Sequence, residues 1–189
     1  MILFDTPGKG NTQTVIEIAV AEARKRNIHQ IVIASSTGYV AELFLRYAQE
    51  FTVVVVGYCY YVKPGMPNLM NVETQEKLRQ GGINLLFGTH VLSGAEHQLR
   101  TKFGGTYPVD LMAHTLTMFG AGVKVGIECT VAALDAGLIV PEPTIGIGGS
   151  GCGSDAAVIL TPDSSIRFLN TKIHDILCKP SFYEEMVKE

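Results

Sequence analysis

A short apolar strand that leads through a hydroxyl-rich turn into a helix constrains this chain more than any other stretch. Residues 31–34 are apolar and mostly β-branched, which is typical of a strand buried on both faces. Residues 35–38 read Ser-Ser-Thr-Gly, and apolar residues then recur at helical spacing at Val40, Leu43, Phe44 and Tyr47. The pattern predicts a strand, a tight loop and the start of a helix.

Two interpretations of the turn are open. The first amides of a helix have no partner inside the helix, and the helix dipole places partial positive charge there. Together with the hydroxyls of Ser35, Ser36 and Thr37, these amides suit a phosphate group. The same residue types also cap helices without any ligand. The turn alone supports both interpretations equally.

The rest of the chain alternates short apolar segments with helical periodicity. Strands are predicted at 1–4, 52–57, 83–87, 123–128, 144–148 and 156–160. Helices are predicted at 12–26 with Asn11 as N-cap, 38–49, 72–80, 95–103, 108–119, 129–136 and, near the end, 173–177. This alternation predicts a three-layer α/β/α fold with a mainly parallel sheet. The seven residues between the last two strands predict an antiparallel pair near the C-terminus.

Composition narrows the class of protein. With 47% apolar and 17% charged residues, the 189-residue chain is expected to form one domain over 1–189 with a large core. A net charge of −3 argues against nucleic acid as a partner. Four cysteines without zinc-ligand spacing predict reduced thiols and no metal site. The longest apolar run, 51–62, is too short to span a bilayer, and no signal peptide is visible, so we expect a cytoplasmic protein without a membrane partner.

Polar, glycine-rich loops follow several of the predicted strands. They comprise 35–38, 57–61, 88–94, 128–130 and 149–155. Ligands of open α/β sheets bind beyond the carboxyl ends of the strands, where the strand order reverses. Capping or core packing explains each loop singly, but their convergence on one edge favours a ligand site.

Individual residues in these loops have competing interpretations. Glu128, at the predicted end of a strand, is a candidate base or ligand anchor, or else a carboxylate that accepts bonds from nearby amides. Cys129, near a predicted helix start, is a candidate reactive thiol, although most such cysteines are buried and inert. His90 and His97 are candidate proton donors, whereas His114 and His174 are expected to be structural.

The run Asn11-Thr12, the stretch 31–38 and the valines at 53–56 resemble the C-terminal α/β domain of pyruvate kinase. In that enzyme a Ser/Thr-rich loop followed by glycine holds a sugar phosphate of the allosteric activator. Residues 35–38 stand in the corresponding places. Tyr39 and Val40 replace polar residues of the enzyme, which argues against the same sugar bisphosphate as ligand.

A closer resemblance is to stand-alone relatives of that domain, found mainly in archaea and anaerobic bacteria. Its motifs run through nearly the whole chain, at 6–8, 11–12, 35–38, 90–94, 102–105, 148–149, 153 and 155–158. These relatives lack the barrel domain that carries pyruvate kinase chemistry, and so do these 189 residues, so we expect no phosphotransfer from phosphoenolpyruvate. Because pyruvate kinase domains of this type assemble, the resemblance also suggests a homo-oligomer.

The resemblance implies flavin mononucleotide (FMN) as the ligand. Its phosphate would lie at 35–39, with donors from a second helix start at 11–12. Loops 90–93 and 149–155 would frame the ring, and Tyr58 or Tyr60 either stacks on it or simply packs. Asp155 is a candidate for bonds within its own loop. The candidate cofactor-binding residues are Asn11, Thr12, Ser35, Ser36, Thr37, Gly38, Tyr39, Val40, Tyr58, His90, Val91, Ser93, Glu128, Gly149, Ser150, Gly153 and Asp155.

Two functions of different classes follow. One is an FMN-binding protein that acts as a flavin-dependent oxidoreductase. The other is a non-catalytic regulatory or sensory module that binds a phosphorylated metabolite. No nucleophile and base stand at readable spacing, which gives a hydrolase little support.

Overall fold

A single seven-stranded mixed sheet forms the centre of the protein in the computed structural model, which describes residues 1–181. Its strands are β1 (Ile2–Phe4), β2 (Gln30–Ala34), β3 (Thr52–Tyr58), β4 (Asn84–Gly88), β5 (Thr144–Gly148), β6 (Ala156–Thr161) and β7 (Lys172–Pro180). The spatial order is β1-β7-β6-β5-β2-β3-β4. Strand β6 runs antiparallel to both of its neighbours, and the other neighbouring pairs are parallel. The predicted mainly parallel sheet with an antiparallel C-terminal element is therefore confirmed.

Helices cover both faces of this sheet. They are α1 (Thr12–Arg26), α2 (Tyr39–Phe44), α3 (Val72–Gln80), α4 (Gly94–Phe103), α5 (Pro108–Thr117) and α6 (Ala121–Asp135). One face of β2 presents Ile31 and Ile33 to the main core, which includes residues of α1, α2 and α3. The opposite face presents Val32 to α6. This alternation along a strand, covered on both sides, gives the three layers that the sequence predicted.

The segment 121–135 overturns one prediction. A strand at 123–128 followed by a helix at 129–136 is wrong, because the whole segment is the single helix α6. A short apolar run does not by itself distinguish a buried strand from a buried helix. Two glycines one helical turn apart, Gly122 and Gly126, favour the helix in this segment. They let α6 lie directly against β5, where an added Cβ at Gly126 would be 3.0 Å from the carbonyl oxygen of Gly146.

The C-terminal segment overturns a second prediction. The helix expected at 173–177 is wrong, because residues 172–180 form β7. This strand pairs with β6 on one side and with β1 on the other, for example Ile2 with Cys178. Pairing with residues far away in the sequence determines its structure, and local periodicity does not report such pairing.

Smaller differences lie at helix ends. Helix α2 is shorter than the predicted 38–49 and passes into a 3₁₀ turn at Leu45–Tyr47. Asn11 stands at the predicted N-cap position of α1, but its side chain makes no capping bond to the helix and its amide donates to the carbonyl of Thr6 at 2.7 Å. Asn71, by contrast, caps α3 by accepting from the amide of Thr74 at 2.7 Å.

Candidate functional site

A cavity of about 520 Å³ opens at the carboxyl edge of the sheet. Strands β2 and β5 are neighbours in the sheet. After β2 the chain continues to β3 on one side, whereas after β5 it continues to β6 on the other side, so the two connections diverge between β2 and β5. Such a switch point leaves a crevice between the loops that follow the two diverging strands. The lining residues are Lys9, Ala34, Ser35, Ser36, Thr37, Tyr39, Val40, Val56, Gly57, Tyr58, Gly88, Thr89, His90, Val125, Glu128, Cys129, Ala132, Gly149, Gly151, Cys152 and Gly153.

One end of the cavity is formed by the turn between β2 and α2. Ser35 is buried, and its hydroxyl accepts a bond from the amide of Ala41 at 3.4 Å, which fixes the turn to the helix. Gly38, with φ of 93°, adopts the left-handed conformation that glycine favours. Gly38 does not line the cavity, whereas Ser36 and Thr37 do. This end therefore offers hydroxyls on a rigid loop.

A lysine side chain, that of Lys9, lies at the same end of the cavity. The ammonium nitrogen of Lys9 lies 4.2 Å from the ring centroid of Tyr39, and both side chains line the cavity. Such a cation–π contact holds a lysine in place without neutralising its charge. Lys9 is the one Lys or Arg among the residues that line this cavity. Lys9 is not among the residues predicted from the sequence, because a single lysine in a loop carries no periodic or motif signal.

Helix α6 forms another part of the wall and contributes Val125, Glu128, Cys129 and Ala132. Glu128 is 1% exposed. One of its oxygens accepts from the amide of Leu92 at 2.9 Å. The other oxygen lies 2.9 Å from the ammonium of Lys124 and 3.1 Å from Nδ1 of His90. A buried carboxylate with this many partners is an anchored anion.

The electrostatics of Glu128 follow from two opposed effects. Burial alone raises the pKa of a carboxyl group, but the hydrogen bonds from His90 and Lys124 outweigh it, so the pKa of Glu128 is lowered. The carboxylate therefore stays ionised at neutral pH. This favours an anchoring role over that of a general base, which needs a pKa near the working pH.

Cys129 occupies a different environment from the one predicted. It lies two turns inside α6, and the prediction that it sits near a helix N-terminus is wrong. Burial, followed by the charge of Glu128, raises the pKa of its thiol to about 12. A thiol in this state is not ionised at neutral pH, which favours the inert interpretation over the reactive one.

The loop between β5 and β6 approaches the cavity with its backbone. Gly149, Gly151, Cys152 and Gly153 line the cavity, whereas Ser150 and Asp155 do not. Asp155 is fully buried and accepts from the amides of Gly8 at 2.9 Å and Ser150 at 3.2 Å. It thereby ties this loop to the loop before α1, the internal role that the sequence analysis considered for it.

Several other candidate residues serve the structure. The hydroxyl of Thr12 accepts from the amide of Ser154 at 3.0 Å and so fixes α1 to the β5–β6 loop. Tyr60 packs edge-on against Phe87 at 5.4 Å. Asn11, Val91 and Ser93 do not line the cavity, nor do Thr12, Tyr60, His97, His114 and His174. Tyr58 does line it and packs edge-on against His90, with ring centroids 5.8 Å apart.

Apart from Lys9 and the strand residues Ala34 and Val56, the lining residues absent from the candidate set fall into two groups. Gly57, Gly88, Thr89, Gly151 and Cys152 belong to loops that the sequence analysis had marked, so their positions were predicted without being singled out. Val125 and Ala132 were missed as wall residues because α6 was mistaken for a strand and a short helix, whereas Cys129 lies in the marked stretch 128–130 and was considered as a reactive thiol. The Gly-x-x-x-Gly spacing at 122–126 is the signal that identifies a closely packed helix there.

Two absences hold for the part of the chain that the structure describes. Within residues 1–181 no three His, Cys, Asp or Glu side chains are grouped closely enough to hold a metal ion. No helix in this range combines the length and apolar character needed to cross a membrane.

Residues 13–159 match the family described as pyruvate kinase, alpha/beta domain. The matched range runs from α1 to β6 and includes most of the cavity lining. Lys9 lies outside it.

Proposed function

Because this chain belongs to the pyruvate kinase alpha/beta domain family, whose fold places a ligand crevice at the carboxyl edge of the sheet, we propose that it binds FMN in its cavity. The observation that carries the proposal is the division of the cavity into two chemically different parts. One end has hydroxyls and a lysine, and the remaining walls are mostly apolar side chains, aromatic rings and glycine backbone, with Glu128 as the one carboxylate among the lining residues. A nucleotide with one terminal phosphate and a flat ring has the same division.

The phosphate end rests on Ser36, Thr37 and Lys9. Hydroxyls and backbone amides on a tight turn donate to phosphate oxygens, and a lysine ammonium adds a compact positive charge. The cation–π contact with Tyr39 holds that charge at the rim of the turn. Riboflavin, which lacks the phosphate, would forgo these interactions.

The remaining walls suit the ring and its polar chain. Val56, Val125 and Ala132 supply apolar surface, and Tyr58 supplies an aromatic face or edge. Gly88 and Gly151 line the cavity, and an added Cβ at either would meet nothing within 4 Å. The space beside these two glycines is therefore open to a ligand. A cavity of about 520 Å³ falls within the usual range for ligands of this size, about 300–1,000 Å³.

FMN, when bound, supplies two-electron redox chemistry with an accompanying exchange of protons. In the proposed complex, Ser36, Thr37 and Lys9 would hold the phosphate, and His90 would lie beside the ligand. These features support a flavin-dependent oxidoreductase, and the colour of the protein and its response to a reductant test that activity.

The first experiment is to purify the protein without added flavin and record its absorbance. We expect a yellow protein, or a colourless one that binds added FMN in a fluorescence titration and binds riboflavin at least about tenfold more weakly, a difference of about 1.4 kcal/mol. A protein that neither carries nor binds FMN would overturn the proposal.

The second experiment separates an enzyme from a carrier. Loss of the yellow colour on anaerobic addition of NADH or NADPH is the result expected of an oxidoreductase. Binding of FMN without such reduction would leave a flavin carrier. Failure to bind FMN together with binding of another phosphorylated metabolite, weakened by changes at Thr37 or Lys9, would favour the regulatory module.

A further inference from the structure

His90 is fixed at the cavity from two directions. Its Nδ1 lies 3.1 Å from a carboxylate oxygen of Glu128, and its ring packs edge-on against Tyr58 at an interplanar angle of 84°. The side chain is 28% exposed and lines the cavity. An imidazole held in this way has a defined orientation and still has access to a ligand.

The partner of Nδ1 determines where the proton sits on the neutral ring. Glu128 is ionised, because its bonds to Lys124 and His90 keep its pKa low, and a carboxylate only accepts hydrogen bonds. Nδ1 must therefore carry a proton. In the neutral ring Nε2 then has a free lone pair, and in the charged ring it has a proton to give.

Lys124 completes the arrangement. It lies one helical turn before Glu128 on α6, and its ammonium is 2.9 Å from the same carboxylate oxygen that faces His90. The amide of Leu92, two residues after His90, occupies the other oxygen at 2.9 Å. The carboxylate thus cannot rotate away without losing both contacts, so the position of the histidine follows from the position of α6.

We propose that His90 exchanges protons with the ring system of the bound ligand through Nε2, with Glu128 and Lys124 as positioning residues; this rests on the proposed FMN site. The proton on Nε2 of the charged imidazole passes to a basic nitrogen or oxygen of the ligand, and Nε2 later regains a proton from water. Glu128 and Lys124 keep their charges throughout. The other ionisable groups that line the cavity are Lys9, Tyr39, Tyr58, Cys129 and Cys152.

The first test needs no ligand. Nitrogen NMR of histidine-labelled protein at about pH 9, where imidazoles are neutral, distinguishes the two tautomers. We expect one tautomer at His90, with the proton on Nδ1. The double variant Lys124→Met with Glu128→Leu removes the acceptor together with its cation, and we expect a mixture of tautomers there. A proton on Nε2 in the wild type, or an unchanged tautomer in a folded double variant, would overturn the positioning role.

The second test uses the protein loaded with FMN and reduced stepwise by dithionite, which supplies the electrons. The reduction potential is measured against pH for the wild type, His90→Asn and His97→Asn. Asparagine places an amide where Nδ1 was, so it can still donate to Glu128, but it lacks Nε2. His97 bonds to Arg100 on exposed α4 and is absent from the cavity lining, which makes it the matched control.

We expect the potential of the wild type and His97→Asn to show a break in its pH dependence that is missing from His90→Asn. FMN affinity is measured separately, so that a loss of binding in His90→Asn is distinguished from a loss of proton exchange. Identical pH curves for all three proteins would refute proton exchange by His90. Wild-type protein that does not bind FMN would refute the proposed function, while the tautomer experiment would still test the role of Glu128.

Discussion

The turn at 35–38 and the segment 122–132 of α6 both line the cavity, but different physics builds them. The turn is local: a strand, three hydroxyl residues and a glycine in the left-handed conformation produce it from neighbouring residues. The α6 wall depends on contact between distant segments, in which Gly122 and Gly126 meet Gly146 and Gly148 of β5. The hydroxyls of the turn can be identified from the local sequence, whereas the contacts of Glu128 on α6 can be identified only once the helix is placed against the sheet.

The largest effect is expected from a substitution that forces α6 away from β5. A Cβ at Gly148 would collide with the carbonyl oxygen of Gly122 and lie 2.8 Å from the amide nitrogen of Gly126. Both are backbone atoms, so the helix must shift. We expect Gly148→Val to lower the free energy of unfolding by about 3 kcal/mol, measured by denaturant titration, and to abolish FMN binding.

The matched control is Gly10→Val, because an added Cβ at Gly10 meets nothing within 4 Å and its φ is not in the left-handed range. We expect that variant to stay within about 0.5 kcal/mol of the wild type. Equal stability of the two variants would show that the glycine contact does not set the position of α6.

The second prediction addresses the turn. Thr37 is exposed and lines the cavity, so its replacement changes the ligand site more than the fold. We expect Thr37→Glu to weaken FMN binding about hundredfold through repulsion of the phosphate, and Thr37→Val about tenfold through loss of a donor, both measured by fluorescence titration. Riboflavin binding should change little in either variant. An unchanged FMN affinity in Thr37→Glu would place the phosphate elsewhere.

Part of the fold and part of the candidate site could be predicted from the sequence alone. The seven-residue connection predicted the antiparallel β5–β6 pair, and buried β-branched runs predicted β2 and β3. The turn residues Ser36 and Thr37 were selected from local pattern and do line the cavity. Local sequence is sufficient in such places because neighbouring residues make the contacts that define the structure.

Sequence reasoning failed where long-range contacts decide. Residues 123–128 have a strand-like apolar pattern, yet they form α6 because glycines on two elements allow close packing. Residues 173–177 form part of β7 because β1 and β6 both pair with that segment. Glu128 was selected from the sequence and lines the cavity, but its partners Lys124 and Leu92 were not selected, since these contacts depend on the helix and on its packing against the sheet.

The third prediction concerns the cation at the phosphate end. We expect Lys9→Met to weaken FMN binding about tenfold and to reduce its dependence on salt, with riboflavin unaffected. Lys25→Met is the control, because Lys25 pairs with Glu22 on the exposed surface of α1 and does not line the cavity. An equal loss of riboflavin affinity would mean that Lys9 supports the fold and not the phosphate.

The smallest expected effect is a pH dependence of the free energy of unfolding that comes from Glu128 on α6. The pKa of Glu128 is lower in the folded protein than the unfolded value of about 4.3. The ionised carboxylate therefore contributes fully to the free energy of unfolding above that pH. That contribution is lost as the pH falls through the folded pKa. We expect the wild type to lose more stability than Glu128→Gln between about pH 5 and pH 3, measured by denaturant titration at each pH. Parallel curves for the two proteins would contradict the lowered pKa.

The contrast between α6 and α4 has a consequence for the motion of the protein. Helix α6 contributes nine buried residues, whereas α4 contributes none. Elements with few buried contacts open at low free-energy cost. Amides of α4 should therefore exchange their hydrogens with solvent much faster than those of α6, whereas His90 and Leu92 remain bonded to α6 through Glu128.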